Sequence, residues 1–292
     1  MKVKVWGARG SIPTPGPDTM RYGGNTSCVQ VTLDDGTLIV LDAGTGIRTM
    51  GLALGTCERP VTILLTHLHL DHIQGLMFFA PCFHPDSEIV IYGPAAEETP
   101  LLGRIARYMS APLSPIEVRE LPCHVSFREV PASRWQVGSA TVHARPVCHR
   151  GPTLGYRIED GDTTLAYIPD HEPTLGAQID TLEDEWISGL ELAQGADMLI
   201  HDAQYTGDEY PNHLGWGHSS VPDALAFGAR ADVGRMLLFH HEPLHDDDSL
   251  DAIGVQARSR WQALGRDPHE VALAREGMEV VVVAGRPRAG AG

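Results

Sequence analysis

"THLHLDHIQG", residues 66–75, places three histidines and an aspartate within six positions, directly after the apolar run "VTILL". Where a strand gives way to an extended turn, His67 and His69 lie two positions apart and can point the same way. Asp71 and His72 then fall at the entry of the next helix, turned toward a neighbouring point. That geometry suits two metal ions rather than one. Nitrogen and carboxylate donors favour zinc, manganese or iron over magnesium or calcium, and a cluster without cysteine argues against a purely structural site. With 15 histidines in the chain, such a string arises by chance in roughly a few per thousand chains of this size, so position has to add weight. It does: His149 follows "ATVHARPV", Asp170 follows "TTLAYIP" and His240 follows "RMLLF", all at strand ends that a sheet would aim at one rim.

Outward from this cluster the chain reads as short strands with few helices. "KVKVW", "SCVQVTL", "TLIVLD", "VTILLT", "EIVIYG", "ATVHARPV", "LGYRIE", "TTLAYIP", "DMLIHDA", "RMLLFHH" and "MEVVVV" have β-branched or alternating apolar character and stop at polar residues or glycine. Helices are expected over 97–109, 182–193, 221–231 and 249–264. No repeat or Ser/Gly linker divides the sequence, so one domain is expected over 1–284 with a frayed tail at 285–292. The long opening loop "GSIPTPGPDTMRYGGNTS" is a candidate cover for a site.

The composition, with 42% hydrophobic residues, 31 Gly and 21 Pro, belongs to a turn-rich globular chain. A formal charge of -16 argues against a broad electrostatic grip on nucleic acid or an anionic membrane, although a local basic patch stays open. Five scattered cysteines with no C-x-x-C pair signal neither a disulfide framework nor a zinc knuckle. Without an apolar leader or a run of membrane-spanning length, a soluble cytoplasmic protein is expected.

"THLHLDH" resembles the signature of the metallo-β-lactamase superfamily, and the likeness continues in order over nearly the whole chain. The resemblance implies an α/β fold, a four-layer αββα sandwich of two mixed β-sheets, with a dinuclear metal site at one edge. It further implies that His67, His69 and His149 hold one divalent ion and Asp71, His72 and His240 the other, with Asp170 bridging. Zinc is the first expectation, with manganese or iron as alternatives. Asp42 of "LIVLDAG" would orient the ligand turn from behind. "LLFHHEP" offers both His240 and His241, and the family pattern favours His240. His171 and His201, beside Asp170 and Asp202, are expected behind the ligands. His84, His124, His143, His213 and His245 have no ligand spacing, and Arg104 and Arg107 read as a solvated helix face.

The stretch from "DMLIHDAQY" to "GHSSVPD" resembles the ribonuclease Z and phosphodiesterase branch, in which a histidine paired with a carboxylate serves the leaving oxygen. His218 and Asp202 stand at those places, although aspartate replaces the expected glutamate and Ser220 the usual threonine. Together with Asp71 they are the residues expected to carry catalysis. Attack by a metal-bound hydroxide, with His218 donating the proton, suits phosphate diesters. Ser220 also has a structural reading, as N-cap of a helix starting at Val221, and both can hold.

The branch's tRNA-processing enzymes generally carry an extended arm, and no Gly-rich basic insertion of that kind is present. A small phosphodiester such as a cyclic nucleotide is therefore the expected substrate, with nucleic acid disfavoured but open, no membrane partner, and a homodimer open. The loop 11–24 and the stretch 205–216, with Tyr22, Tyr210 and Trp216 as stacking residues, are the expected pocket walls. The rivals are a tRNA 3′-processing endoribonuclease, a lactonase or β-lactamase-type carbonyl hydrolase, which would not need His218 and Asp202, and a non-catalytic metal-binding regulatory module, which would lack ligands.

Overall fold

A computed structural model describes residues 1–57 and 59–285. The chain lays down β1 (Lys2–Gly7), β2 (Cys28–Thr32), β3 (Leu38–Leu41), β4 (Val61–Leu64), β5 (Glu88–Pro94), β6 (His124–Val130) and β7 (Ser133–Val137). It continues with β8 (Ala140–Pro146), β9 (Leu154–Asp160), β10 (Thr163–Ile168), β11 (Met198–Asp202), β12 (Arg235–Phe239), β13 (Val271–Leu273) and β14 (Glu279–Val281). Two seven-stranded sheets result, ordered β14-β1-β2-β3-β4-β5-β6 and β13-β12-β11-β10-β9-β8-β7.

Both sheets are mixed, and in each the site-bearing strands run the same way. The pairs β3–β4, β10–β11 and β11–β12 are parallel. Since β9 is antiparallel to both β8 and β10, β8 runs with β10. The loops leaving β4, β8, β10, β11 and β12 therefore gather at one rim.

Apolar alternation fills the space between the sheets with Val5, Val29, Ile39, Leu41, Val142, Ile158, Leu165, Ile200 and Phe239, all buried. The opposite faces are covered by helices. On the first sheet lie α1 (Gly46–Leu54), α2 (Leu70–Ile73) and α3 (Leu101–Tyr108). On the second lie α4 (Leu190–Ala193), α5 (Val221–Arg230) and α6 (Asp247–Ala263), with Trp261 fully buried. The four-layer αββα sandwich is thus observed. Ser220 caps α5 by accepting from the Asp223 N–H at 3.1 Å, as its sequence suggests. Among the described residues no helix is long and apolar enough to cross a membrane.

Several expected elements differ. The helix expected over 182–193 is one 3₁₀ turn, Asp184–Trp186, and the single turn α4, because Gly189 in the left-handed region (φ 70) stands between them. Helix α1 had no clear sequence signal, since glycines at 46 and 51 weaken its propensity. Tertiary packing explains them: a Cβ at Gly46 would lie 2.5 Å from the Trp6 carbonyl oxygen, and one at Gly51 2.8 Å from the Ala80 nitrogen. Strands β6 and β7 are half exposed at the sheet edges and carry charged residues that blur their period. Arg104 is not a free solvated cation, for it pairs with Glu129 at 3.0 Å. The expected tail starts at Gly285, whose N–H donates to Asp197 Oδ1 at 2.8 Å; residues 286–292 lie outside the described range.

Two bonds from β9 hold the start of the histidine turn. The buried Tyr156 hydroxyl donates to the Leu65 carbonyl at 2.6 Å, and the Leu154 N–H to the Thr66 carbonyl at 2.9 Å. Tyr156→Phe leaves a buried carbonyl short of a donor and should cost about 1–3 kcal/mol, read as a lower urea midpoint at unchanged m-value. An unmoved midpoint would show that the turn does not depend on this bond.

Candidate metal centre

The chain leaves β3 through Asp42, a non-glycine residue at φ 59 that turns its carboxylate under the 66–72 segment. Asp42 is fully buried. It accepts from the Thr66 N–H (2.8 Å), the Thr66 hydroxyl (3.0 Å), the Tyr167 hydroxyl (2.9 Å) and His72 Nδ1 (2.8 Å). As expected it stands behind the ligands, orienting His72 so that Nε2 faces inward.

The same device recurs around the centre. His67 Nδ1 is 3.0 Å from the Thr66 hydroxyl, and His149 Nδ1 donates to the Gly217 carbonyl at 2.7 Å. His240 Nδ1 is 3.1 Å from Gln204 Oε1, whose amide NH₂ donates to Glu242 Oε2 at 2.6 Å. Glu242 can only accept, which fixes the amide orientation and leaves Oε1 for His240. His67, His72, His149 and His240 are thereby left with Nε2 free to face the centre.

Two donor groups form there and share Asp170. His67, His69, His149 and Asp170 bring their ligand atoms within 4.8 Å of one another, as do Asp71, His72, Asp170 and His240. Asp170 Oδ1 lies 3.1 Å from His72 Nε2, and Oδ2 lies 3.6 Å from His67 Nε2 and 3.3 Å from His240 Nε2. Asp71 Oδ2 is 3.1 Å from His240 Nε2 and accepts the Ser11 N–H at 2.8 Å. His240 occupies the centre, whereas His241 turns away, its Nε2 2.7 Å from the Ala274 carbonyl. The positive φ of His240 (61°) makes that separation.

These residues fit divalent cations on their own chemistry. His67 Nε2, His72 Nε2 and Asp170 Oδ1 are buried and none makes a hydrogen bond of acceptable geometry, the 3.1 Å approach of the last two included, a condition that buried polar atoms rarely tolerate. All three face the same point, and the donors are nitrogen and oxygen without sulfur.

Electrostatics divide the two groups. Burial would push Asp170 up, but His240, His72 and His67 hold its carboxyl well below the usual range. Burial likewise disfavours charge on His240, yet Asp170, Asp71 and Asp202 push it up to about 9. His72 also rises against burial, through Asp170, Asp71 and Asp42. For His67, His69 and His149 burial wins and each is lowered.

Beside the cluster, His218 Nδ1 is 2.7 Å from Asp202 Oδ2. Asp202 is buried and accepts three backbone N–H groups: His171 at 3.0 Å, Gln204 at 3.0 Å and Ser219 at 3.2 Å. The shorter carboxylate therefore does reach its histidine. Behind it, His171 Nδ1 and His201 Nε2 pair at 2.9 Å, out of the centre.

A cleft of ≈ 450 Å³ opens over the cluster, lined by Ser11, Leu68, His69, Leu70, Asp71, Asp170, His218 and His240. Most of the expected pocket walls are absent from it. Of loop 11–24 only Ser11 lines it; the Tyr22 hydroxyl donates to Asp251 Oδ1 at 2.9 Å and the Arg21 N–H to Asp247 Oδ2 at 2.7 Å, which fastens the loop to α6. The Tyr210 hydroxyl donates to Glu172, and Trp216 packs edge-on against His213. Sequence reading missed Gln204, Glu242 and the Ser11 N–H, none of which has a ligand-type signature.

Against burial, Asp170, Asp71 and Asp202 push His240 up to about 9, so ligation at pH 7 must displace its proton. Metal uptake should therefore release at least one proton, and apparent affinity should rise with pH up to about 9. Calorimetry in two buffers of different ionisation enthalpy measures this; buffer-independent heats would contradict it.

A sequence profile described as a beta-lactamase superfamily domain matches residues 37–241. The chain is 29% identical over 288 residues to a ribonuclease Z of Mycobacterium sp. (strain KMS), covering 88% of this chain and 92% of that protein. Among solved structures it resembles the metallo-β-lactamase fold protein YhfI from Bacillus subtilis (TM-score 0.68, 18% identity, 96% and 98% of the two chains). It also resembles a diphosphatase from the PhnP family (TM-score 0.67, 19% identity, 96% and 97%). A profile match that spans both donor groups, on two sheets whose strand ends converge on a histidine–aspartate cluster, places the chain in the metallo-β-lactamase superfamily of hydrolases.

Proposed function

We propose that the protein is a dinuclear metal-dependent phosphodiesterase acting on a small diester, a reading carried by the His218–Asp202 pair beside the cluster. His67, His69 and His149 would hold one cation, Asp71, His72 and His240 the other, with Asp170 between them. The nitrogen and oxygen donors suit zinc first, then manganese or iron. Bound there, such cations supply Lewis acidity, lowering the pKa of water to about 7 and neutralising charge on the phosphoryl oxygens.

The chain's own groups do the remainder. Hydrolysis of a diester forms one P–O bond to water and breaks one to the leaving oxygen, which needs a proton as it departs. Carrying a proton on each ring nitrogen, His218 can deliver it from Nε2 while the Asp202 carboxylate accepts Nδ1–H and holds the ring in line. Three backbone N–H groups keep Asp202 in place, so the imidazole is oriented before substrate arrives.

The cleft walls bear on substrate size and charge. Apart from the donor residues and His218, its lining is Ser11, Leu68 and Leu70, with no lysine or arginine to grip a polyanion. Together with the net charge of -16, this favours a singly charged small diester, of which a cyclic nucleotide is one example. A second reading, tRNA 3′-end processing, is favoured by the ribonuclease Z relative, which aligns over most of both chains.

The test is hydrolysis of bis(p-nitrophenyl) phosphate by zinc- and manganese-reconstituted protein, with a lactone, a β-lactam and a precursor tRNA in parallel. Metal-dependent cleavage of the diester and not of the carbonyl substrates is expected. Opening of a carbonyl substrate with the diester untouched would sink the reading, and cleavage of precursor tRNA alone would install the second one. Asp71→Ala should lose one metal equivalent by elemental analysis and nearly all activity. His218→Ala should keep both metals yet slow turnover about 10²–10⁴-fold, most for diesters with poor leaving groups. Equal slowing across leaving groups would remove His218 from the proton-donor role.

A further inference from the structure

We infer that Glu172 is a positioning residue for the metal centre, holding the loop that orients His149 and carries His218. The inference rests on reading the cluster as a metal site. Glu172 is fully buried. Its Oε1 accepts from the Tyr210 hydroxyl and the Gly215 N–H, each at 2.8 Å, and its Oε2 accepts from the Gly217 N–H at 2.8 Å. All three donors belong to the segment between Tyr205 and His218. The regular structure there is one 3₁₀ turn, Tyr210–Asn212, so this carboxylate does for the loop what a ladder of backbone bonds does for a strand.

What the loop delivers is specific. The Gly217 carbonyl accepts His149 Nδ1–H at 2.7 Å, which leaves His149 Nε2 for the centre, 3.7 Å from Asp170 Oδ2. Gly217 sits at φ 91, and a Cβ there would lie 2.5 Å from His149 Nδ1, so the backbone approaches the imidazole as closely as it can. A shift of the loop by a few tenths of an ångström would therefore reach His149 directly.

Glu172 also closes a register with its two predecessors. Asp170 faces both donor groups, and the His171 N–H donates to Asp202, the partner of His218. The Ser219 hydroxyl donates to the His171 carbonyl at 2.6 Å. Three consecutive residues thus set the shared carboxylate, the His218 pair and the His149 loop relative to one another. Substituting glutamine for Glu172 would bring an NH₂ group against one of the loop's N–H donors, breaking the clamp with almost no change in volume.

The experiment titrates zinc and, separately, cobalt(II) into metal-free wild type, Glu172→Gln, His149→Ala and the double variant, by calorimetry and visible absorption. Glu172→Gln should weaken one of the two binding steps by about tenfold to a hundredfold, leave the other near wild type, and alter the cobalt spectrum. In the double variant the losses should fall short of additive, because both changes act on one ligand. Unchanged affinities and spectrum in Glu172→Gln would overturn the inference, as would a loss shared equally by both steps with a lowered melting midpoint of the metal-free protein. Failure of wild type to bind either metal would instead overturn the metal-site reading itself, so the two failures are distinguishable without any substrate.

Discussion

Everything at the rim hangs on a carboxylate that never meets water. Asp42 lies at the end of β3 in one sheet, Tyr167 comes from β10 in the other, and the turn from Thr66 to His72 is fastened between them. A buried charge is costly unless its lone pairs are filled, and Asp42 fills them with two hydroxyls, an amide and an imidazole. Because the bonds come from both sheets, the position of the histidine turn is tied to the packing of the sandwich rather than to its own loop. The single turn of α2, too short to stand alone, is stable in that setting.

The rest of the centre follows from turning imidazoles by their outer nitrogens. Thr66, Asp42, Gly217 and Gln204 each occupy an Nδ1, and what remains inward is a set of nitrogen and oxygen atoms with too few partners. Such an arrangement is expensive in a metal-free protein, and part of that cost shows as orphaned atoms at His67, His72 and Asp170. Ligation would convert the penalty into binding energy, so the donors are preorganised for a cation.

The donor residues that the structure gathers at the rim were legible because they combine a dense local string with strand-end positions, and both signals stand in the sequence itself. Eleven of the fourteen described strands were legible as β-branched runs between turn residues, whereas the charged edge strands β6 and β7 and the three-residue β13 were not. What could not be read were groups that act through the backbone or at a distance in sequence. Gln204 and Glu242 look like ordinary polar residues until Glu242 is seen fixing the amide that holds His240. Helix α1 was hidden because its glycines serve the neighbours Trp6 and Ala80 rather than the helix. The aromatic residues expected as pocket walls lie outside the cleft for a related reason: Tyr22 and Tyr210 spend their hydroxyls on Asp251 and Glu172, and such partners are invisible in a linear sequence. His240 and His241 were separable only by a backbone angle.

The last strand, β14, returns to the first sheet and lies against β1, pairing Lys2 with Val281. During synthesis, then, β1 waits for β14 before that edge is covered. Until that point it offers a run of unpaired amides beside "KVKVW", where the lysines at 2 and 4 discourage pairing with another nascent chain. The donor residues are also spread from His67 to His240, so no stretch of chain shorter than that span can assemble both groups.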